Sequence, residues 1–208
     1  MLSVGCGGGV MDRQIADRIA ASGNAVHITG VDPNAQHIPA FKETFDGTAH
    51  RVDTFQGSFD EFHSNGRFDL VYFLHSLYYF ESIEPALRAA LGRLKPGGSR
   101  IVFQAQNAEL NHLADRVWRK QFDQAAWYSG DVRRLLDSME GPTTWERLDA
   151  RVDVTPCFES DDPAGVAGGA ADLDRALALV TGRAEGDREG AVGQGAGQTE
   201  VQDLDLTI

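Results

Sequence analysis

Apolar residues fall into two kinds of run that alternate along the chain. Short, nearly continuous runs read as strands: Leu2–Val4, Ala25–Val31, His50–Phe55, Phe68–Phe73 and Arg100–Gln104. Between them, apolar residues recur three or four apart, as on one face of a helix. Gly9–Ala21 carries Val10, Ile15, Ile19 and Ala20, and Ile38–Phe45 carries Ile38, Phe41 and Phe45. Ile83–Leu94 carries Ile83, Leu87, Leu91 and Leu94 on one stripe, and Lys95-Pro96-Gly97-Gly98 reads as the turn that stops it. Phe59–Ser64 is a brief helix or turn. The run Leu70-Val71-Tyr72-Phe73 has no polar alternation, as expected of a strand covered on both faces. Strands separated by helices of this length predict a parallel sheet with right-handed crossovers.

The second half is less regular. Asn107–Phe122 and Ser129–Met139 read as helices, the latter with Ser129 as its cap, and Glu146–Val154 reads as a strand. Ala164–Leu179 is Ala-rich and predicted helical. Residues 181–199 are dense in Gly, Ala, Glu and Gln and predict a mobile loop, and Val201–Ile208 alternates as a final strand. The expectation is one domain over 1–208, with a ligand-cradling half at 1–105 and a second half at 106–208.

Composition narrows the partners. Of the 208 residues 42% are hydrophobic, enough for a core, and the net charge is −12. Phosphate recognition needs clustered Lys and Arg, so this balance argues against nucleic acid or an anionic membrane as the main partner. The two cysteines, Cys6 and Cys157, are isolated, as in a reducing compartment, and no run reaches membrane-spanning length. A cytoplasmic monomer is expected. No Cys/His spacing implies a metal site.

Candidate chemistry starts at Gly5-Cys6-Gly7-Gly8-Gly9, directly after the first strand. Glycines there let the backbone turn sharply and approach a ligand, and the next helix aims its positive end at the same place. An ordinary strand-to-helix turn has the same appearance. Asp32 ends the second strand, where a carboxylate can take both ribose hydroxyls of an adenosine cofactor. Asp before Pro and Asn also serves as a helix N-cap.

The spacing Gly5-x-Gly7-x-Gly9, Asp32, the Phe68-Asp69-Leu70-Val71 strand and Leu94-Lys95-Pro96-Gly97-Gly98 stand in one order that resembles the class I methyltransferases dependent on S-adenosyl-L-methionine (SAM). A closer resemblance is to the histamine N-methyltransferase family. It is carried by Leu2–Gly9, Val31-Asp32-Pro33-Asn34, Ile38–Glu43, Leu77-Tyr78-Tyr79, Val117-Trp118-Arg119-Lys120 and Asp153–Phe158. The methyltransferase domain of ovothiol synthesis is similar too. These resemblances imply a Rossmann-like α/β fold: a mostly parallel seven-stranded sheet with an antiparallel last strand, flanked by helices. They imply SAM as cofactor and a small-molecule amine or imidazole as methyl acceptor, with a thiol, carboxylate or protein acceptor, or an inactive SAM-binding domain, as alternatives.

Roles follow from the resemblance position by position. Gly5, Gly7 and Gly9 line the cofactor, with Asp32 on its ribose, His37 near it, Ser58 by the adenine and Leu74 covering it. His75 touches the substrate and fixes its ring or relays its proton. Tyr79 and Trp118 wall the substrate pocket, and Gln202 meets the substrate. Tyr78, Tyr79 and Trp118 read equally as packing residues. Methyl transfer asks for proximity, orientation and a desolvated nucleophile, and aromatic faces attract a sulfonium or an amine cation by about 0.5–2 kcal/mol. The chain departs from the family in three places. The segment before the glycine loop is missing, an aromatic position is Ala114, and an amide that binds the amine corresponds only loosely to Gln202. The three-residue first strand is therefore expected to leave its neighbours partly unpaired.

Overall fold

A computed structural model describes residues 1–107, 110–139, 142–151 and 201–207. The chain divides into two compact units, Met1–Glu146 with Asp205–Ile208, and Arg147–Leu204. The predicted helix at 164–179 and loop at 181–199 lie outside the described residues.

In the first unit, strand β1 (Leu2–Val4) leads into helix α1 (Val10–Ala21), β2 (His27–Asp32), α2 (His37–Thr44), β3 (Arg51–Gln56) and β4 (Phe68–Leu74). A 3₁₀ turn over Leu77–Tyr79, helix α3 (Ile83–Gly92) and β5 (Leu94–Ala105) follow. Helices α4 (Leu110–Phe122) and α5 (Ser129–Asp137) come next, and then strands β6 (Trp145–Arg151) and β7 (Val201–Thr207). Strands β1 to β5 form a parallel sheet in the order β3-β2-β1-β4-β5. This is the Rossmann-like arrangement, with the order reversing between β1 and β4. Ligands bind at the carboxyl ends of strands at such a reversal.

The short central strand is better paired than the sequence predicts. Leu2, Ser3 and Val4 register with Thr29, Gly30 and Val31, and Leu2 and Ser3 also with Val71 and Tyr72. The pairing extends at both ends: Thr29 N donates to Met1 O at 2.9 Å, and Gly5 N and Cys6 N both donate to Val31 O, at 2.8 and 3.1 Å.

Alternation along β4 explains its apolar run. Val71 and Phe73 face one core with Leu2, Val4, Leu77, Leu87 and Leu136, under α3 and α5. Tyr72 faces the other with Ile28, Ala16, Phe41 and Phe45, under α1 and α2. Beneath the glycine loop lies a buried polar contact that sequence patterning does not expose. The Tyr72 hydroxyl donates to Asp12 Oδ1 at 2.6 Å, and burial pushes the Asp12 carboxyl above its ordinary range.

Two predicted boundaries are corrected. Lys95-Pro96-Gly97-Gly98 is not a turn before the fifth strand but a bulge inside it. Phe68 pairs with Leu94 and Leu70 with Ser99, so β5 loops outward between those partners. The cap of α5 is Tyr128 rather than Ser129, and the Asp131 carboxylate accepts from Tyr128 N at 3.0 Å. Ser129 begins the helix, with its hydroxyl buried.

Candidate active site

A cavity of about 560 Å³ opens at the carboxyl ends of β1, β2 and β4. Four segments build it: the glycine loop, the β2 tip with the start of α2, the residues that follow β3, and those that follow β4.

Three of the four loop glycines, Gly5, Gly7 and Gly9, serve different purposes. Gly5 has φ +70°, and a Cβ there would sit 2.4 Å from Ser76 Cβ. Ser76, in turn, donates from Oγ to Val4 O at 2.6 Å and locks the loop after β4 against the end of β1. Gly7 has φ +53°, but a Cβ there would meet nothing within 4 Å: this backbone faces open space and lines the cavity. Gly9 differs from its predicted role. It is absent from the lining, and a Cβ on it would fall 2.6 Å from Phe41 Cδ2, so it serves the packing of α1 on α2.

Asp32 organises the loop. It is 6% exposed and lines the cavity, with both oxygens engaged. Oδ2 accepts from Gly7 N at 2.9 Å, while Oδ1 accepts from Asn34 N at 2.9 Å and meets His37 Nδ1 at 3.0 Å. The N-cap role predicted as the alternative is not realised, since Gln36 is the N-cap of α2; the Asp32 carboxylate instead ties two backbone segments together and borders the cavity. His37 opens α2 and lines the cavity beside it. Ser58 lines the far end, with its hydroxyl donating to Glu61 Oε2 at 2.9 Å.

On the other side stands His75, just past β4. It has φ +49°, a conformation uncommon for any residue but glycine. Its N–H donates to Phe103 O at 2.9 Å, and its ring meets Phe103 edge-on with centroids 4.7 Å apart. Nδ1 lies 2.9 Å from the Tyr78 hydroxyl, which accepts from Ala105 N at 2.8 Å. Burial pulls the His75 pKa down to about 4, so the ring is neutral through the physiological range.

Patterning did not separate Tyr78 from Tyr79. Tyr78 is the inward residue that holds His75. Tyr79 is 67% exposed at the cavity rim, with its ring 5.3 Å from that of Trp118. Trp118 itself is not among the lining residues, nor is Leu74, which packs in the core shared by Phe41 and Tyr72. The side chains of Gln202 and Ala114 lie outside the described residues. Sequence reasoning also missed Ser76. Its signal is its position next to the residue after β4, facing a glycine that cannot carry a Cβ.

The lining has a distinct charge. Asp32, Asp60 and Glu81 contribute carboxylates, and none of the lining residues is Lys or Arg. Among the described residues no cluster of His, Cys, Asp or Glu is arranged to hold a metal ion, and no helix is long and apolar enough to cross a membrane.

Residues 1–98, which hold all of this cavity, match a family described as "Methyltransferase domain". That match covers just under half of the chain. A ubiquinone biosynthesis O-methyltransferase of Rickettsia felis is 28% identical over 102 residues, which is 49% of this chain and 39% of that protein. The chain thus spans well under half the length of that curated relative. Among solved structures, a SAM-dependent methyltransferase of Thermotoga maritima, described as a possible histamine N-methyltransferase, superposes with a TM-score of 0.57. It is 15% identical, over 99% of this chain and 79% of its own. The N-methyltransferase NodS of Bradyrhizobium japonicum, solved with S-adenosyl-L-homocysteine, gives 0.52 at 19% identity, over 73% and 69% of the two chains. At these identities the superpositions establish the fold.

The cavity residues suit the cofactor that such methyltransferases use. Gly7 leaves the backbone open to a ligand, Asp32 is a carboxylate beside it, and a lining with three acids and no Lys or Arg suits a cationic sulfonium.

Proposed function

We propose that the chain is a SAM-dependent methyltransferase whose acceptor is a small-molecule amine or imidazole, of the kind histamine represents. The observation that carries this choice is the charge of the cavity. Three carboxylates and no Lys or Arg favour a cationic or neutral nitrogen compound over a carboxylate, which would enter against like charge. SAM supplies an electrophilic methyl group on a positively charged sulfur.

In this reading Gly5 and Gly7 bound the cofactor, Asp32 and His37 hold its ribose end, and Ser58 closes the adenine end. His75 and Tyr79 face the acceptor, with Trp118 behind Tyr79 and Gln202 as a further contact. The site's work is orientation and exclusion of water, because an unprotonated nitrogen already carries the pair that attacks. The two C-terminal strands extend the parallel core to the seven-stranded sheet of the class, with the last strand antiparallel. The protein acts as a cytoplasmic monomer, without nucleic-acid or membrane partners.

Transfer of a tritiated methyl group to histamine, histidine and thiol-histidine, assayed in parallel, tests the acceptor. Labelled imidazole product supports the proposal. Label confined to the thiol, or to no imidazole compound, overturns it.

A further inference from the structure

We infer that Tyr78 is a positioning residue that holds His75 as its neutral Nε2–H tautomer, so that His75 offers the cavity an N–H donor and takes no proton from the substrate. The inference rests on the cavity's being a methyl-transfer site, as proposed above.

Proton counting at one oxygen decides the tautomer. The Tyr78 oxygen lies 2.8 Å from Ala105 N and 2.9 Å from His75 Nδ1. A backbone amide only donates, so the phenol accepts there and its single proton is left for Nδ1. The opposite tautomer would make the phenol oxygen accept twice. Its own O–H would then be buried without an acceptor among the described residues, which folded proteins avoid. With Nδ1 receiving, the ring's proton sits on Nε2. That atom has no hydrogen bond among the described residues, and it is not sealed from solvent. The ring itself cannot swing freely. Its backbone is tied to Phe103 O, one edge rests on Phe103, and its plane lies within 10° of the Tyr78 ring. The depressed pKa agrees, because the ring gains no second proton near neutrality.

The consequence for the reaction is specific. The new carbon–nitrogen bond is made from the acceptor's own lone pair, and the electrons of the broken carbon–sulfur bond stay on sulfur. The methylated nitrogen compound is then cationic and must lose a proton. His75 has no free pair to receive it, so the proton passes to water. His75 instead donates to an acceptor atom other than the attacking nitrogen, on the cofactor or on a methyl acceptor that carries a further oxygen or nitrogen lone pair, since a hydrogen bond on the attacking pair would block it. Tyr78 touches neither molecule and works through His75.

Long-range ¹H–¹⁵N correlation spectra of the whole chain, labelled at histidine, test this without cofactor or acceptor. The His75 ring is assigned by its loss in His75→Gln. The expected wild-type spectrum shows Nε2–H alone and no titration of this ring between pH 5 and pH 8. In Tyr78→Phe both tautomers are expected. An Nδ1–H ring in the wild type, or an unchanged ring in the variant, overturns the inference. Should the variant fail to fold, the wild-type spectrum decides by itself. In methyl transfer, Tyr78→Phe is expected to lower kcat about tenfold, the equivalent of one lost orienting hydrogen bond, with the cofactor Kd within about twofold. An unchanged kcat would remove the positioning role. An Nε2–H ring on a chain that methylates no nitrogen compound refutes the proposed function and leaves the tautomer standing.

Discussion

Replacing Gly5 and Gly7 separately by alanine should give two different failures, although they are two residues apart in one loop. At Gly5 the new Cβ has a left-handed backbone, φ +70°, and a neighbour at 2.4 Å, Ser76 Cβ. The left-handed conformation costs an alanine about 1–2 kcal/mol. Relieving the overlap costs about 1–3 kcal/mol more, because Ser76 Cβ is attached to a backbone held by the Ser76 Oγ bond to Val4 O. The total, about 2–5 kcal/mol, is a large fraction of the stability of an ordinary domain. For a chain of this size it corresponds to a drop in Tm of roughly 4–20 °C. At Gly7, φ is +53° but the space is open, so only the backbone term of about 1–2 kcal/mol applies. Its methyl group instead projects into the cavity that the proposed cofactor would occupy. Urea denaturation followed by circular dichroism, with SAM binding measured calorimetrically on the folded fraction, separates the two effects. Gly5→Ala should be the less stable variant. Gly7→Ala should fold and lose most of its affinity. Equal stabilities, or a Gly7→Ala variant with wild-type affinity, would show that the loop does not divide its work this way.

The buried pair under the loop makes two further predictions. Tyr72→Phe strands Asp12 Oδ1 without the phenol and should destabilise by about 1–3 kcal/mol in urea titration. Because burial raises the Asp12 pKa in the folded state, the native protein binds this proton more tightly than the unfolded chain. The associated stability is full below the unfolded carboxyl range and is lost as pH rises through the folded value. Asp12→Asn should therefore flatten the fall in stability above pH 4, and an unchanged slope would assign it to other groups. In the β5 bulge, a Cβ on Gly98 would meet the Asp69 and Phe68 carbonyl oxygens at 3.0 Å, so Gly98→Ala should cost about 1–3 kcal/mol, measured by thermal melting.

The five parallel strands and their helices were legible because each element has its own period, and β4 gave the clearest signal through its unbroken apolar run. Part of the cavity lining was legible as well, since Gly5, Gly7 and Asp32 end or follow strands and His37 opens the next helix, where the topology brings them together. What sequence could not supply was the direction of a side chain after a strand ends. Tyr78 and Tyr79 are adjacent and chemically identical, yet the 3₁₀ turn sends one to His75 and Ala105 and leaves the other at the rim. Gly9 fits the spacing of a cofactor glycine, but Phe41, which comes from another helix, makes it a packing glycine. The Lys95-Pro96-Gly97-Gly98 run has turn chemistry, and only its pairing partners on β4 show that the strand resumes around it. Each of these depends on a contact distant in sequence, which local periodicity does not carry.

The central claim is that the cavity between the glycine loop and the end of β4 is where SAM binds. Isothermal titration of S-adenosyl-L-homocysteine into the wild-type chain and into Asp32→Ala tests it without knowledge of the acceptor. The account predicts a single site in the wild type. It predicts an affinity about ten- to a hundredfold weaker in the variant, the loss of a charge-assisted hydrogen bond together with the anchor for Gly7 N. Absence of binding to the wild type, or the same affinity in Asp32→Ala, would contradict it.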